Sequence, residues 1–135
     1  MFLQPKRIKY KKTKKGRLKK LEFKSNNLKF GTIGLKSVNS AVISARQLEA
    51  ARQAISRKIK KKGKIWIRVF PDLPLTAKPI SSRMGKGKGG LSHWGTRVKG
   101  GTLIFEICGV KDPKITLAAL KTGAAKLPLK TKISK

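Results

Sequence analysis

Along the chain the clearest helical pattern lies between Ala45 and Lys62. Leu48, Ala51, Ile55 and Ile59 recur there at three- and four-residue spacing and fall on one stripe. Arg46, Arg57 and Lys60 project from the opposite side. Ser44 and Gln47 have the form of a capping box, in which the serine accepts from the third helical amide and the glutamine reaches back. Gly63 supplies a stop, and Lys60, Lys61 and Lys62 suit the negative end of the helix dipole. A helix over 45–62 is therefore expected. A second should start at Asp112-Pro113, with Leu117, Leu120 and Ala124 on its apolar side and Pro128 beyond its end.

Strict alternation marks the strands. In Lys64 to Phe70, Ile65, Ile67 and Val69 face one way while Trp66, Arg68 and Phe70 face the other, with apolar residues on both sides. Thr102 to Cys108 places Leu103, Phe105 and Ile107 on one face. Leu28 to Val42 alternates more loosely, with Leu28 and Phe30 together and with Gly31 and Gly34 permitting a bulge or a close approach. Pro71 to Pro74 reads as a turn. Leu75 to Ile80 reads as extended but poorly paired, because Pro79 limits the ladder. These elements predict an α+β fold: a single compact domain, residues 28–135, of mixed, mainly antiparallel strands with two helices. It is preceded by an arm, residues 1–27, and interrupted by a Gly/Lys-rich loop, residues 81–92.

Charge changes the picture most in that arm. Lys6, Arg7, Lys9, Lys11, Lys12, Lys14, Lys15, Arg17, Lys19, Lys20 and Lys24 face the single acid Glu22, and the isolated apolar residues cannot fold alone. Such a block is expected to stay extended until it meets nucleic acid. The whole chain of 135 residues has 35 Lys or Arg against five Asp or Glu, a formal charge of +30. A polyanion is the partner this implies, and self-repulsion relieved by that partner suggests an assembly component. The hydrophobic share, 39%, is still enough for a core. The segment from Met1 to Lys29 is basic but poor in the Arg and Ser of a presequence, and is read as part of the mature protein. No stretch approaches the ~18 apolar residues of a membrane span.

Candidate chemistry is sparse outside phosphate binding. Arg83-Met84-Gly85-Lys86-Gly87-Lys88-Gly89-Gly90 combines glycines that free the backbone with cations spread along a thin finger, and phosphate is its natural target. The Walker spacing fails because Gly89 follows Lys88. Gly85, Gly87 and Gly90 match a dinucleotide fingerprint by letter only, with neither a strand before them nor a helix after. His93 has no nearby acid or thiol partner, and beside Trp94 it reads as a base-stacking, phosphate-contacting or packing residue. Cys108, the only cysteine, excludes an internal disulfide, points to a reducing compartment and reads as apolar filler; Met84 reads as a loop contact. No catalytic residue, metal site or cofactor is expected.

Several segments resemble one family, the bacterial and organellar type of large-subunit ribosomal protein sixteen. They are Leu3 to Arg7, Phe30-Gly31 to Leu35-Lys36, Ala45 to Arg52, Gly63 to Pro71, Arg83 to Gly89 and Ala125 to Pro128, and they span nearly the whole chain. The resemblance implies a non-enzymatic constituent of the large subunit, bound to ribosomal RNA near the peptidyl transferase centre, that helps position aminoacyl-site tRNA. The ribosomal RNA contacts are then expected from Lys6, Arg7, Lys9, Lys11, Lys12 and Arg17 of the arm, Arg46, Arg52, Arg57 and Lys60 of the helix, and Lys64 and Arg68 of the strand. Arg83, Met84, Gly85, Lys86, Gly87, Lys88 and Gly89 would reach the tRNA. Partners are large-subunit ribosomal RNA, tRNA and neighbouring ribosomal proteins, with no membrane and no homo-oligomer. The alternative is a free nucleic-acid-binding chaperone. The chain departs from the family between Ser92 and Gly101, where Gly95 and Arg97 weigh against the usual strand. That departure and the excess of Lys over Arg favour a mitochondrial ribosome over the bacterial cytoplasm.

Overall fold

Leu103 to Ile107 are five consecutive buried residues, and they form the centre of β6 (Leu103–Cys108). A strand apolar on both faces must be covered on both, and β6 lies between β3 (Lys64–Ile67) and β1 (Ile33–Ser37) with helices packed over the sheet. β7 (Thr131–Ser134) completes a sheet of order β3-β6-β1-β7. A second sheet, β2-β5-β4, consists of β2 (Ala41–Ser44), β5 (Gly90–Val98) and β4 (Leu73–Ala77). All pairings are antiparallel. With α1 (Ala45–Lys58) and α2 (Pro113–Ala124) the α+β class holds. This computed structural model describes residues 3–18 and 20–135; Met1, Phe2 and the arm cation Lys19 lie outside the described residues.

The core gathers Leu35, Phe105 and Ile107 from the first sheet, Ile43 and Val98 from the second, Leu48, Ala51, Ile55 and Ile59 from α1 and its cap, and Ala119 and Leu120 from α2. Each fully buried Leu, Ile or Phe contributes about 1.5–3 kcal/mol relative to exposure. The stripe expected on the first helix is thus its buried face. Its capping box is present too: Gln47 N–H donates to Ser44 Oγ at 3.2 Å, and Ser44 N–H donates to Gln47 Oε1 at 2.9 Å.

Several boundaries differ from the sequence reading. α1 stops at Lys58, four residues before Lys62, because Lys60 and Lys61 turn left-handed at φ 52° and 61°. Their amides close the end on Arg57 and Ser56 carbonyls at 3.1 Å each. The segment 28–42 is two strands in different sheets, and Leu28 and Phe30 lie in neither. Of Lys64–Phe70 only Lys64–Ile67 is strand, although Arg68 N–H still donates to Ile104 O at 2.9 Å. Trp66 is half-buried and Phe70 exposed, so the second face of that strand is open. Leu73 and Pro74, expected in a turn, already belong to β4, and Pro74 is accommodated because β4 is an edge strand.

The departing segment 92–101 lies largely within the longest strand, β5, contrary to the argument from Gly95 and Arg97. A Cβ on Gly95 would meet Leu75 Cδ1 at 2.9 Å and Ile43 O at 3.1 Å, so this glycine lets three strands close up. Arg97 points outward and is exposed. α2 buries Thr116, Ala119, Leu120 and Gly123; Ala124 is half-buried and packs against the core as expected, whereas Leu117 is half-buried and outside it. The cause is Gly123, where a Cβ would sit 2.6 Å from Ile55 Cγ1. Asp112 occupies the N-cap position but makes no side-chain cap bond. β7 was not expected from its sequence.

Candidate nucleic-acid interface

The arm has no helix or strand among its described residues, and hydrogen bonds tie it to β5, to the turn that follows and to the start of β6. Glu22 N–H donates to Gly100 O at 2.9 Å, Leu103 N–H donates to Ser25 O at 3.0 Å, and Arg97 Nη2 donates to Lys14 O at 2.7 Å. Glu22 also lies 3.4 Å from Lys99 Nζ, and the Lys24 amide first, then Lys99, holds its carboxyl below the usual range. With the strand-free backbone fixed in this way, Lys6, Arg7, Lys9, Lys11, Lys12 and Arg17 are all left exposed.

The Gly/Lys loop is the connection of a hairpin, since Ala77 of β4 is paired with Gly90 of β5. It therefore ends earlier than the expected residue 92, and Gly90, Leu91 and Ser92 are strand. From Arg83 to Lys88 every residue is exposed, Met84 to 98%. Gly85, Lys86 and Gly87 have φ of 94°, 55° and 78°, and a Cβ at either glycine would meet nothing within 4 Å. Gly89 is different, half-buried and folded against Ala77 O. Lys78 Nζ, from the strand end at the base of the finger, donates to Gly85 O near its tip. Lys12 Nζ donates to Lys88 O at 2.9 Å while Lys88 Nζ donates to Thr13 O. Arm and finger, which are 76 residues apart at this contact, thus share one cationic surface.

On α1 the exposed cations are Arg46, Arg57 and Lys58, continued by Lys60 after the cap and Lys64 on β3. Two residues expected to hold RNA are instead engaged within the protein. Arg52 donates to Glu49 through Nε at 2.9 Å and Nη2 at 2.7 Å, lowering the glutamate's pKa and raising its own. Arg68 donates through Nη1 to Glu106, whose side chain is 0% exposed. The amides of Lys29, Phe30 and Gly31 donate to the same carboxylate at 3.2, 2.7 and 2.8 Å. Burial alone would raise the Glu106 pKa, but these three amides and the Arg68 charge hold it below the usual range. An acid in the middle of the apolar run Thr102–Cys108 was the available signal, because a buried carboxylate requires donors. Among the described residues there are three ion pairs, so most of the cations face solvent.

A cleft of about 590 Å³ lies between the arm's Leu3 and Gln4, the first turns of α1 and residues 91–94 of β5. Arg46 and His93 both line it; His93 is exposed, with Nδ1 3.1 Å from Ser92 Oγ, while Trp94 is buried as part of the fold. Cys108 is half-buried and unpaired. The described residues include no group of three acids, histidines or cysteines able to hold a metal ion. What this surface can do is bind anions: a static field of cations over a rigid body, with one thin extension.

The sequence model of the family described as ribosomal protein L16p/L10e matches residues 5–134. The chain is 52% identical over 131 residues to the large ribosomal subunit protein uL16 of Bartonella quintana, covering 97% of this chain and 95% of the relative. It is 53% identical over 134 residues to the uL16 protein of Hyphomonas neptunium, with 99% and 96% covered. The uL16 protein of Borrelia hermsii is 50% identical over 130 residues, with 96% and 94% covered.

Proposed function

The chain belongs to the ribosomal protein L16p/L10e family, and on that premise we propose that its shared arm-and-finger surface binds large-subunit ribosomal RNA and presents the finger to aminoacyl-site tRNA. The protein is a structural constituent of the large ribosomal subunit and not an enzyme. Ribosomal RNA and neighbouring ribosomal proteins are its partners there. In this reading Lys6, Arg7, Lys9, Lys11, Lys12 and Arg17, with Arg46, Arg57, Lys60 and Lys64, neutralise backbone phosphates near the peptidyl transferase centre. Arg52 contributes with the part of its charge that Glu49 leaves, and Arg68 acts by holding Glu106. Arg83 to Gly89 approach the tRNA acceptor end.

The observation that carries the reading is the exchange of hydrogen bonds between Lys12, Thr13 and Lys88, which sets the finger on the arm while leaving its tip uncovered. An arm anchored on RNA would therefore aim the finger. Placement in a mitochondrial ribosome rests on the lysine excess alone, now that the departing segment is an ordinary strand, and the similar proteins named above are bacterial.

The test is the double substitution Lys86→Ala with Lys88→Ala. Large subunits should carry the variant at full occupancy but bind aminoacyl-tRNA more weakly, with the deficit largest at low salt and shrinking as salt rises, because fewer phosphates are neutralised. Normal tRNA binding at full occupancy would remove the tRNA role, and absent occupancy would make the finger an assembly anchor instead.

A further inference from the structure

The second face of β3 carries an aromatic pair that the phosphate contacts leave unused. Phe30 stacks on Trp66 with ring centroids 6.1 Å apart and planes 20° from parallel. Lys64 Nζ lies 5.2 Å from the Trp66 ring centroid, and the Arg68 guanidinium carbon lies 5.1 Å from that of Phe30. Trp66 is half-buried, but Phe30 remains 57% exposed. Phe23 is more exposed still, at 77%, but Phe30 is the exposed ring that both stacks on a second aromatic and carries a cation beside it.

Its backbone is unusually well fixed for a segment outside any strand. The amides on both sides of the ring, and its own, are held by the buried Glu106 carboxylate. Gly31 is pressed against β6 so closely that a Cβ there would lie 2.8 Å from Ile107 N and O. The ring therefore stands outward on a rigid mount, its position set in advance of any partner. Aromatic faces flanked by cations are the elements from which proteins build platforms for unstacked bases, the ring taking the base and the cation its phosphate.

We propose that the Phe30–Trp66 pair is a binding site for a single unstacked nucleobase of large-subunit RNA, with Lys64 contacting the adjoining phosphate. The proposal rests on the RNA-binding reading above and adds to it a contact that depends on the base. Arg68 is then a positioning residue, held by Glu106 and fixing the Phe30 ring. The charge of the surroundings selects RNA over an apolar peptide as the occupant.

The experiment uses the full chain and two probes, a short oligoadenylate and an abasic strand of the same length and charge. The wild type should bind the oligoadenylate more tightly and show quenched tryptophan emission with it alone, since Trp94 is buried. Phe30→Leu keeps an apolar cover on Trp66 but discards the aromatic face. It should lose about ten-fold in affinity for the oligoadenylate and nothing for the abasic strand, with an unchanged unfolding midpoint. Phe30→Tyr should restore the preference. Equal binding of both strands by the wild type, or equal losses on both in Phe30→Leu, would overturn the platform while leaving phosphate binding intact. Failure to bind either strand at low salt would sink the RNA-binding reading and the platform with it.

Discussion

Gly31 and Gly95 are walled in by backbone and side chains, whereas Gly85 and Gly87 of the finger, and Gly90 where β5 leaves it, open onto empty space. The same residue type serves contact in the body and reach in the finger. Cations divide in the same way. Arg68 is locked onto a buried carboxylate, while Lys86 at the fingertip is exposed and has a left-handed backbone. The body draws its stability from closeness and pairing, and the finger adds little to it. Changes in the two regions should therefore be felt in different measurements.

The largest effect is expected from Arg68→Ala. It leaves Glu106 buried with only amides for partners, and breaking such a pair costs about 3 kcal/mol or more. Urea unfolding at neutral pH measures the loss. Unchanged stability with weakened RNA binding would show Arg68 to be a phosphate contact after all. The same carboxylate gives a pH dependence whose sign follows from its lowered pKa. The folded state holds it below the ordinary value of 4.5, so its stabilisation is complete above that value and is lost as pH falls through the folded one. Glu106→Gln should flatten part of the acid-side loss of stability, and an unaltered acid profile would contradict this assignment.

Gly31→Ala comes next, at about 2 kcal/mol, because the added methyl meets Ile107 backbone and Glu106 Cβ, which cannot give way cheaply. Gly87→Ala meets no atom but must hold φ near 78°, a left-handed strain of about 1 kcal/mol. The finger should relieve it by rearranging, so the unfolding midpoint stays put while protease cleavage between Arg83 and Lys88 changes. Gly90→Ala should be smallest, within about 0.5 kcal/mol, since its backbone is not left-handed and nothing lies near. A Gly90→Ala loss matching that of Gly31→Ala would end the distinction drawn between the two regions.

Local chemistry was legible in the sequence, and long-range closeness was not. The α1 stripe and its capping box depend on residues a few positions apart, and both stand as read. The strand status of β5 depends on Leu75 and Ile43 closing around Gly95, which no spacing within 92–101 encodes. β7 has a single apolar residue, Ile133, and is strand because β1 pairs with it. For the site, exposure of the arm and finger cations followed from their density. The withdrawal of Arg52 and Arg68 depends on two acids, of which Glu49, at helical spacing from Arg52, is a signal the sequence itself carries. Glu106 brings together residues 29–31 and 68, whose proximity only the folded sheet creates.

The position of β1 has a consequence for how the chain reaches this structure. Both of its neighbours come from far downstream: Ile33 is paired with Ile107, and Ser37 with Thr131. During synthesis the first-made strand has no sheet to join until β6 exists, and its other edge stays open until β7 follows. Pairings of such long range form slowly, and here they must form in a chain whose arm repels itself. The nascent protein therefore passes through an interval with an open strand edge and a cationic arm not yet matched by a polyanion. The order in which the sheet can close is in this sense written into its pairings.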